Sequence, residues 1–222
     1  RASRAGRGRG SKGRKTRGTA VTREEGAAQH YTRGAKARLL SRGAIAACAI
    51  FIVALAIRVP GLDRWPPAIH QDEASNVVDG WSLLTDGVDR AGRAWPVFLE
   101  GFGAGDNRTS LYAALTIPGI ALLGPGAVAA RLPAALIGAW TVLALFLFVR
   151  RVRGDGAAFW SAALLAANPW HIYLSRFGHE ASITPAFLVT ALWLVAGAAR
   201  LEASATDAGR PGLDGKRAGQ AW

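Results

Sequence analysis

Two short stretches hold the acids that could do chemistry. "AIHQDEASNVVDG" (68–80) places Asp72 and Glu73 side by side behind Pro66 and Pro67, and "SRFGHEAS" (175–182) offers Glu180. An adjacent acid pair is ordinarily a solvated loop. Here the proline pair stiffens the approach, and "EASNVVDGWSLL" follows with Val77, Val78, Trp81 and Leu84 near helical spacing, a short amphipathic helix lying on a membrane surface. A carboxylate partly desolvated at such an interface can act as a general base toward a hydroxyl. Two acids on separate loops could instead hold a divalent cation. His70, His171 and His179 lie near these acids in sequence, but no close pair has zinc-site spacing, so the metal requirement stays open.

The elements that must position these residues are apolar. Half of the 222 residues are hydrophobic and only 19% are charged, the profile of a membrane protein. The formal charge of +12 is misleading, because residues 1–42 hold 13 Lys and Arg against Glu24 and Glu25, leaving about +1 for the rest. Residues 1–40 have almost nothing to bury and read as a disordered basic tail at the cytoplasmic membrane surface. They lack interleaved aromatics on which bases could stack, which argues against nucleic acid as a partner. Cys48 sits alone in an apolar run and reads as a small buried residue. The chain contains no methionine, and it reads as part of a longer protein.

Four runs have the length or flanks of transmembrane helices: 43–59, 127–149, 157–174 and 181–199. The first is short, but its flanking Arg42 and Arg58 can snorkel. A further run, 109–124, is short and interrupted by Pro118 and Gly119, and reads as embedded or re-entrant. The basic head and "RRVRGDG" (150–156) both belong on the cytoplasmic side. An even number of crossings must separate them, which leaves 109–124 on the outer side. The expectation is an all-α, multi-pass protein of about four transmembrane helices, with interfacial or re-entrant helices in a large first outer loop, 60–126. Residues 41–200 form the membrane domain, and 201–222 form a cytoplasmic loop. Asp72, Glu73 and Glu180 then share the outer face.

The order of "DRWPPAIHQDEA", "GVDRAGRAWPVFLEGFG", "YAALTIPGIALLG", "AARLPAALIGAWTVLALFLFVRRVRG" and "AANPWHIYLSRFGHEASITP" resembles the N-terminal part of the bacterial relatives of protein O-mannosyltransferases and aminoarabinose transferases. These are integral-membrane glycosyltransferases of the C superfamily, and the resemblance covers about residues 40–200. It implies a polyprenyl-phosphate sugar as donor, a hexose or pentose, and a protein or lipid hydroxyl as acceptor. By that resemblance Asp72 is the catalytic base, Glu73 its support and Glu180 the second-loop acid, although many relatives carry Asp at that position. Arginines near the outer face would compensate the donor phosphate: Arg176 first, then Arg131 and Arg58. The family has more helices than this chain contains, so the chain is not expected to catalyse alone.

A non-catalytic membrane protein, such as a transporter or assembly subunit, is the competing class. It should place functional polar residues near mid-membrane. The runs here are almost wholly apolar at their centres, and the acids gather at one face, which favours the enzyme. "GFGAGD" (101–106) has no preceding strand and is a poor nucleotide loop. The sequon at Asn107 is incidental, and the tryptophans read as interfacial anchors.

Overall fold

The structure, a computed structural model, describes residues 43–102 and 105–208. The chain divides into two units, Arg1–Ala46 and Ala47–Trp222, and apart from the first residues of α1 everything below belongs to the second. The expectations for the basic tail and for the extreme C-terminus fall outside the described residues.

Helix α1 (Gly43–Arg58) is followed by α2 (Gln71–Thr85), strands β1 (Phe98–Glu100) and β2 (Asn107–Thr109), then α3 (Leu111–Leu123), α4 (Ala127–Arg153), α5 (Asp155–Ala167), α6 (Pro169–Leu174) and α7 (Glu180–Ala208). The protein is mostly helical, and α4 and α7 are long and apolar enough to cross a membrane. At 1.5 Å per residue the 27 residues of α4 span about 40 Å, more than a bilayer's hydrocarbon core.

Contacts along α4 set the arrangement. Near its start, the Ala130 carbonyl lies against Gly178; further on, Trp140 Nε1 donates to Thr190 Oγ1 at 2.9 Å; near its end, Arg151 Nη1 donates to the Trp193 carbonyl at 2.6 Å. α4 and α7 therefore run parallel, and α5 with α6 must return the chain from one end of α4 to the other. Ser175, just past α6, packs on Gly138 of α4. Arg150, Arg151 and Arg153 crowd the last turn of α4, where cations complement the helix dipole, and Arg150 pairs with Asp155 at 2.6 Å.

Several elements depart from the sequence reading. The run 157–174 is not one helix: Asn168 accepts the His171 N–H at 2.9 Å and Pro169 occupies the first helical position, so a new helix starts there. α3 continues through Pro118 rather than breaking. α7 runs to Ala208 instead of yielding to a loop at Leu201, because "LEASATDA" contains no helix breaker. Cys48 is exposed, not buried. Arg58 does not snorkel: it is wholly buried.

The segment between α2 and α3 also holds an antiparallel hairpin that hydropathy did not reveal, pairing Phe98 with Thr109 and Glu100 with Asn107. Strand β1 directly precedes "GFGAGD", contrary to the sequence reading, but Asp106 accepts the Phe102 N–H at 3.0 Å and occupies the space a Cβ on Gly101 would need, a local use for that glycine.

α2 is amphipathic in an inverted sense. Its buried face carries Glu73, Asn76, Asp79 and Gly80, whereas Val78, Trp81 and Leu84 are exposed on the other side. Gly80 allows the contact with α3, since a Cβ there would lie 2.9 Å from the Ala113 carbonyl oxygen and collide with Thr116. Arg108 of β2 straps the hairpin to this polar face. It reaches Asn76 Oδ1 at 2.8 Å, Ser75 Oγ at 2.5 Å and the Asp79 carboxylate.

Candidate active site

Glu73 and Arg131 sit where α2, α4 and the 175–179 loop meet. Neither is accessible to solvent, at 0% and 1% exposure. A buried ion pair is favourable only when every polar atom is satisfied, and this one is. Glu73 Oε1 accepts from Arg131 Nε at 2.8 Å and from the Gly178 N–H at 2.9 Å. Its Oε2 accepts from Arg131 Nη2 at 3.0 Å and from the His70 N–H at 2.9 Å.

Arg131 directs its remaining N–H groups to the carbonyls of Leu62 (2.9 Å), Pro66 (2.8 Å) and Ala68 (2.5 Å). Ala68 has a φ of 62°, a left-handed conformation that costs a non-glycine residue roughly 1–2 kcal/mol, and the Arg131 bond holds it there. One guanidinium thus fixes the whole approach to α2. Gly178 completes the joint: its N–H faces Glu73, its carbonyl accepts from Asn76 Nδ2 at 3.3 Å, and a Cβ would come within 2.6 Å of the Ala130 carbonyl.

Burial alone would raise the Glu73 pKa, but the bonds from Arg131, His70 and Gly178 outweigh it and hold the carboxyl below its ordinary value. A depressed acid contributes stability above the unfolded pKa of about 4.3 and loses it as pH falls through the folded value. The Glu73 contribution to the thermal midpoint in detergent, read as the difference between wild type and Glu73→Gln, is therefore expected to be constant between about pH 7 and 5 and to fall below about pH 4. Glu73→Gln should start lower and lose less across the acid window. An acid slope identical to wild type would rule Glu73 out as its source.

Asp72 points the other way. Its side chain is a quarter exposed, with Oδ2 3.2 Å from His70 Nδ1 and 3.7 Å from His179 Nε2. Glu180, in the first turn of α7, has Oε2 3.4 Å from the same His179 nitrogen, so one imidazole stands between the two acids. Glu180 Oε1 is buried with no hydrogen-bond partner. The structure thus gathers Asp72, Glu73 and Glu180 at one end of the helices, with Glu73 locked and Asp72 open. Among the described residues no three His, Cys, Asp or Glu side chains converge as a cation cage.

The three arginines are placed differently from one another. Arg131 is the anchor described above. Arg58 donates to Ser175 Oγ (3.3 Å) and to the Ala54 and Ala166 carbonyls, with Nη2 2.8 Å from His171 Nδ1. Arg176 stitches the 57–65 segment together, reaching the carbonyls of Arg58 (3.0 Å), Pro60 (2.8 Å) and Gly61 (2.9 Å). Arg58 and Arg176 have no carboxylate partner among the described residues. Partial burial, then the charge of Arg131, lowers the Arg176 pKa, the mark of an incompletely compensated cation.

Arg176 borders an apolar cavity of about 400 Å³ walled by Trp65, Pro67, Ile172 and Tyr173. A line of rings leads from this cavity toward Asp72. Tyr173 stacks on Phe177 with centroids 6.2 Å apart, Phe177 stacks on His179 at 6.0 Å, and His70 meets Phe177 edge-on at 5.2 Å. The roles of His70 and Phe177 were not drawn from the sequence. The signal available was their spacing, two residues before Asp72 and two before His179.

The protein is mostly helical, with two helices, α4 and α7, long and apolar enough to cross a membrane, and the Glu73–Arg131 pair ties α2 to the start of α4. Residues 108–205 match the family model described as dolichyl-phosphate-mannose-protein mannosyltransferase, a glycosyltransferase family. The resemblance read from residue order is thereby supported independently. The matched segment contains Arg131, Arg176 and Glu180, while Asp72 and Glu73 precede it. Comparison with curated proteins and with solved structures gives no match.

Proposed function

We propose that this chain is the acid-bearing part of a multi-pass glycosyltransferase that moves a sugar from a polyprenyl phosphate to an acceptor hydroxyl on the outer membrane face. Asp72 takes the proton of the acceptor O–H, and the oxygen's electron pair attacks the anomeric carbon. The bond from that carbon to the phosphate oxygen breaks, its pair leaving with the phosphate. A single displacement inverts the anomeric carbon.

The observation that carries this reading is the division of labour between the paired acids. Glu73 has both oxygens occupied by four hydrogen bonds, whereas Asp72 keeps an open carboxylate beside it. Arg176 is the phosphate counter-charge best placed of the three, because it borders the apolar cavity in which an isoprenoid tail would lie. Arg131 and Arg58 contribute from within, by holding the loops and by their fields. Glu180 faces Asp72 across His179 and orients that imidazole. A membrane carrying the full-length protein should transfer labelled sugar from a polyprenyl phosphate to protein or lipid, and no transfer with any such donor would end the proposal.

The same reading takes α1, α4, α5 with α6, and α7 as four crossings. The parallel course of α4 and α7 supports it, as does the exposed Val78–Trp81–Leu84 face of α2, an apolar surface suited to lipid. A reporter fused at residue 90 should lie outside and one at residue 153 inside. The reverse labelling would sink the orientation.

A further inference from the structure

The base in such a transfer must lose the proton it gains, and two imidazoles stand within reach of Asp72. Their hydrogen bonds distinguish them. His179 Nδ1 accepts the Ala181 N–H at 3.0 Å, so its ring proton resides on Nε2, the nitrogen that faces Asp72 and Glu180. With its acceptor nitrogen occupied elsewhere, His179 can donate toward Asp72 but cannot receive from it.

His70 has the opposite polarity. As the N-cap of α2, its Nδ1 accepts the Asp72 N–H over a long 3.3 Å, so its proton resides on Nε2. The Nδ1 lone pair also lies 3.2 Å from Asp72 Oδ2, and the side chain is about half exposed. From this geometry we infer that His70 is the proton relay of Asp72. Oδ2–H, formed when the acceptor hydroxyl is deprotonated, passes its proton to Nδ1, and the resulting imidazolium releases the Nε2 proton to solvent; exchange with water then returns the Nδ1–H tautomer to Nε2–H and frees Nδ1 for the next turnover.

No other reactant is needed. The Asp72 carboxylate returns unchanged, and the proton leaves through the half-exposed His70 ring. During that moment the cap bond to the Asp72 N–H yields to an Nδ1–H···Oδ2 bond, a local exchange that leaves the reciprocal bond from the His70 N–H to Glu73 in place. The charged or titratable groups around the dyad are Glu73 from α2, Arg131 from α4, and His179 and Glu180 beyond Asp72. The first two are tied in their ion pair, and His179 has no free acceptor nitrogen.

This relay rests on the reading of Asp72 as the base, and the test separates the two. His70→Asn keeps a capping oxygen but cannot carry the proton, and His70→Ser is a second cap-retaining variant. In the full-length protein in membranes, at matched amounts of folded protein, kcat for transfer from a labelled polyprenyl-phosphate sugar should fall about tenfold or more with KM unchanged. Added imidazole should restore part of the rate, following the imidazole base form as pH is raised. Wild-type kcat in either variant, or a loss that imidazole does not repair, overturns the relay and leaves His70 as a cap alone. If Asp72→Asn, assayed alongside, transfers at the wild-type rate, the base assignment itself falls, and the relay with it.

Discussion

Arg131→Met is expected to destabilise the protein by about 3–5 kcal/mol, the range for removing one partner of a buried ion pair. The loss has two parts. Glu73 would remain buried with only the His70 and Gly178 N–H groups facing its charge, and the carbonyls of Leu62, Pro66 and Ala68 would lose their donor. Pairing Arg131→Met with Glu73→Leu removes the stranded charge and should recover part of the loss, though the three carbonyls stay unsatisfied. Thermal unfolding in detergent, read with the folded fraction on size exclusion, measures both. A single variant as stable as wild type would show that the anchor does not hold the joint.

Asp72→Asn is expected to behave in the opposite way. Asp72 is partly exposed and its carboxylate contacts are to two histidines at 3.2 and 3.7 Å, so the amide should fit with a stability change within about 0.5 kcal/mol. The transfer rate should nevertheless fall by about 10²–10⁴, the usual contribution of a positioned general base. Neighbouring acids in one helical turn would then separate cleanly, Glu73 variants losing the fold and Asp72 variants losing the chemistry. Geometry explains the contrast: the helix turns Glu73 toward Arg131 and Asp72 toward the opening.

Hydropathy made α4 and α7 legible, because their apolar runs exceed what a loop or a short core helix requires. The apolar spacing of 77, 78, 81 and 84 likewise announced α2. Its inverted face was less visible, since nothing near Asn76 and Asp79 in the sequence announces Arg108, about thirty positions away, which packs against them. The same holds for Arg131. A sequence displays the charge but not a partner 58 residues earlier, so the residue reads as a phosphate ligand when its N–H groups are all directed inward. One clue was present: a cation inside the apolar helix of "AARLPAALIG" requires a buried acid somewhere. The break at Asn168–Pro169 was legible too, and the long apolar run around it masked it.

The most direct measurement is transfer from a labelled polyprenyl-phosphate sugar by full-length wild type and Asp72→Asn, in membranes, at equal amounts of folded protein and with thermal midpoints recorded in parallel. The account predicts matching midpoints and a rate at least a hundredfold lower in the variant. Equal rates would contradict it, whatever the variants of Glu73 and Arg131 do to the fold.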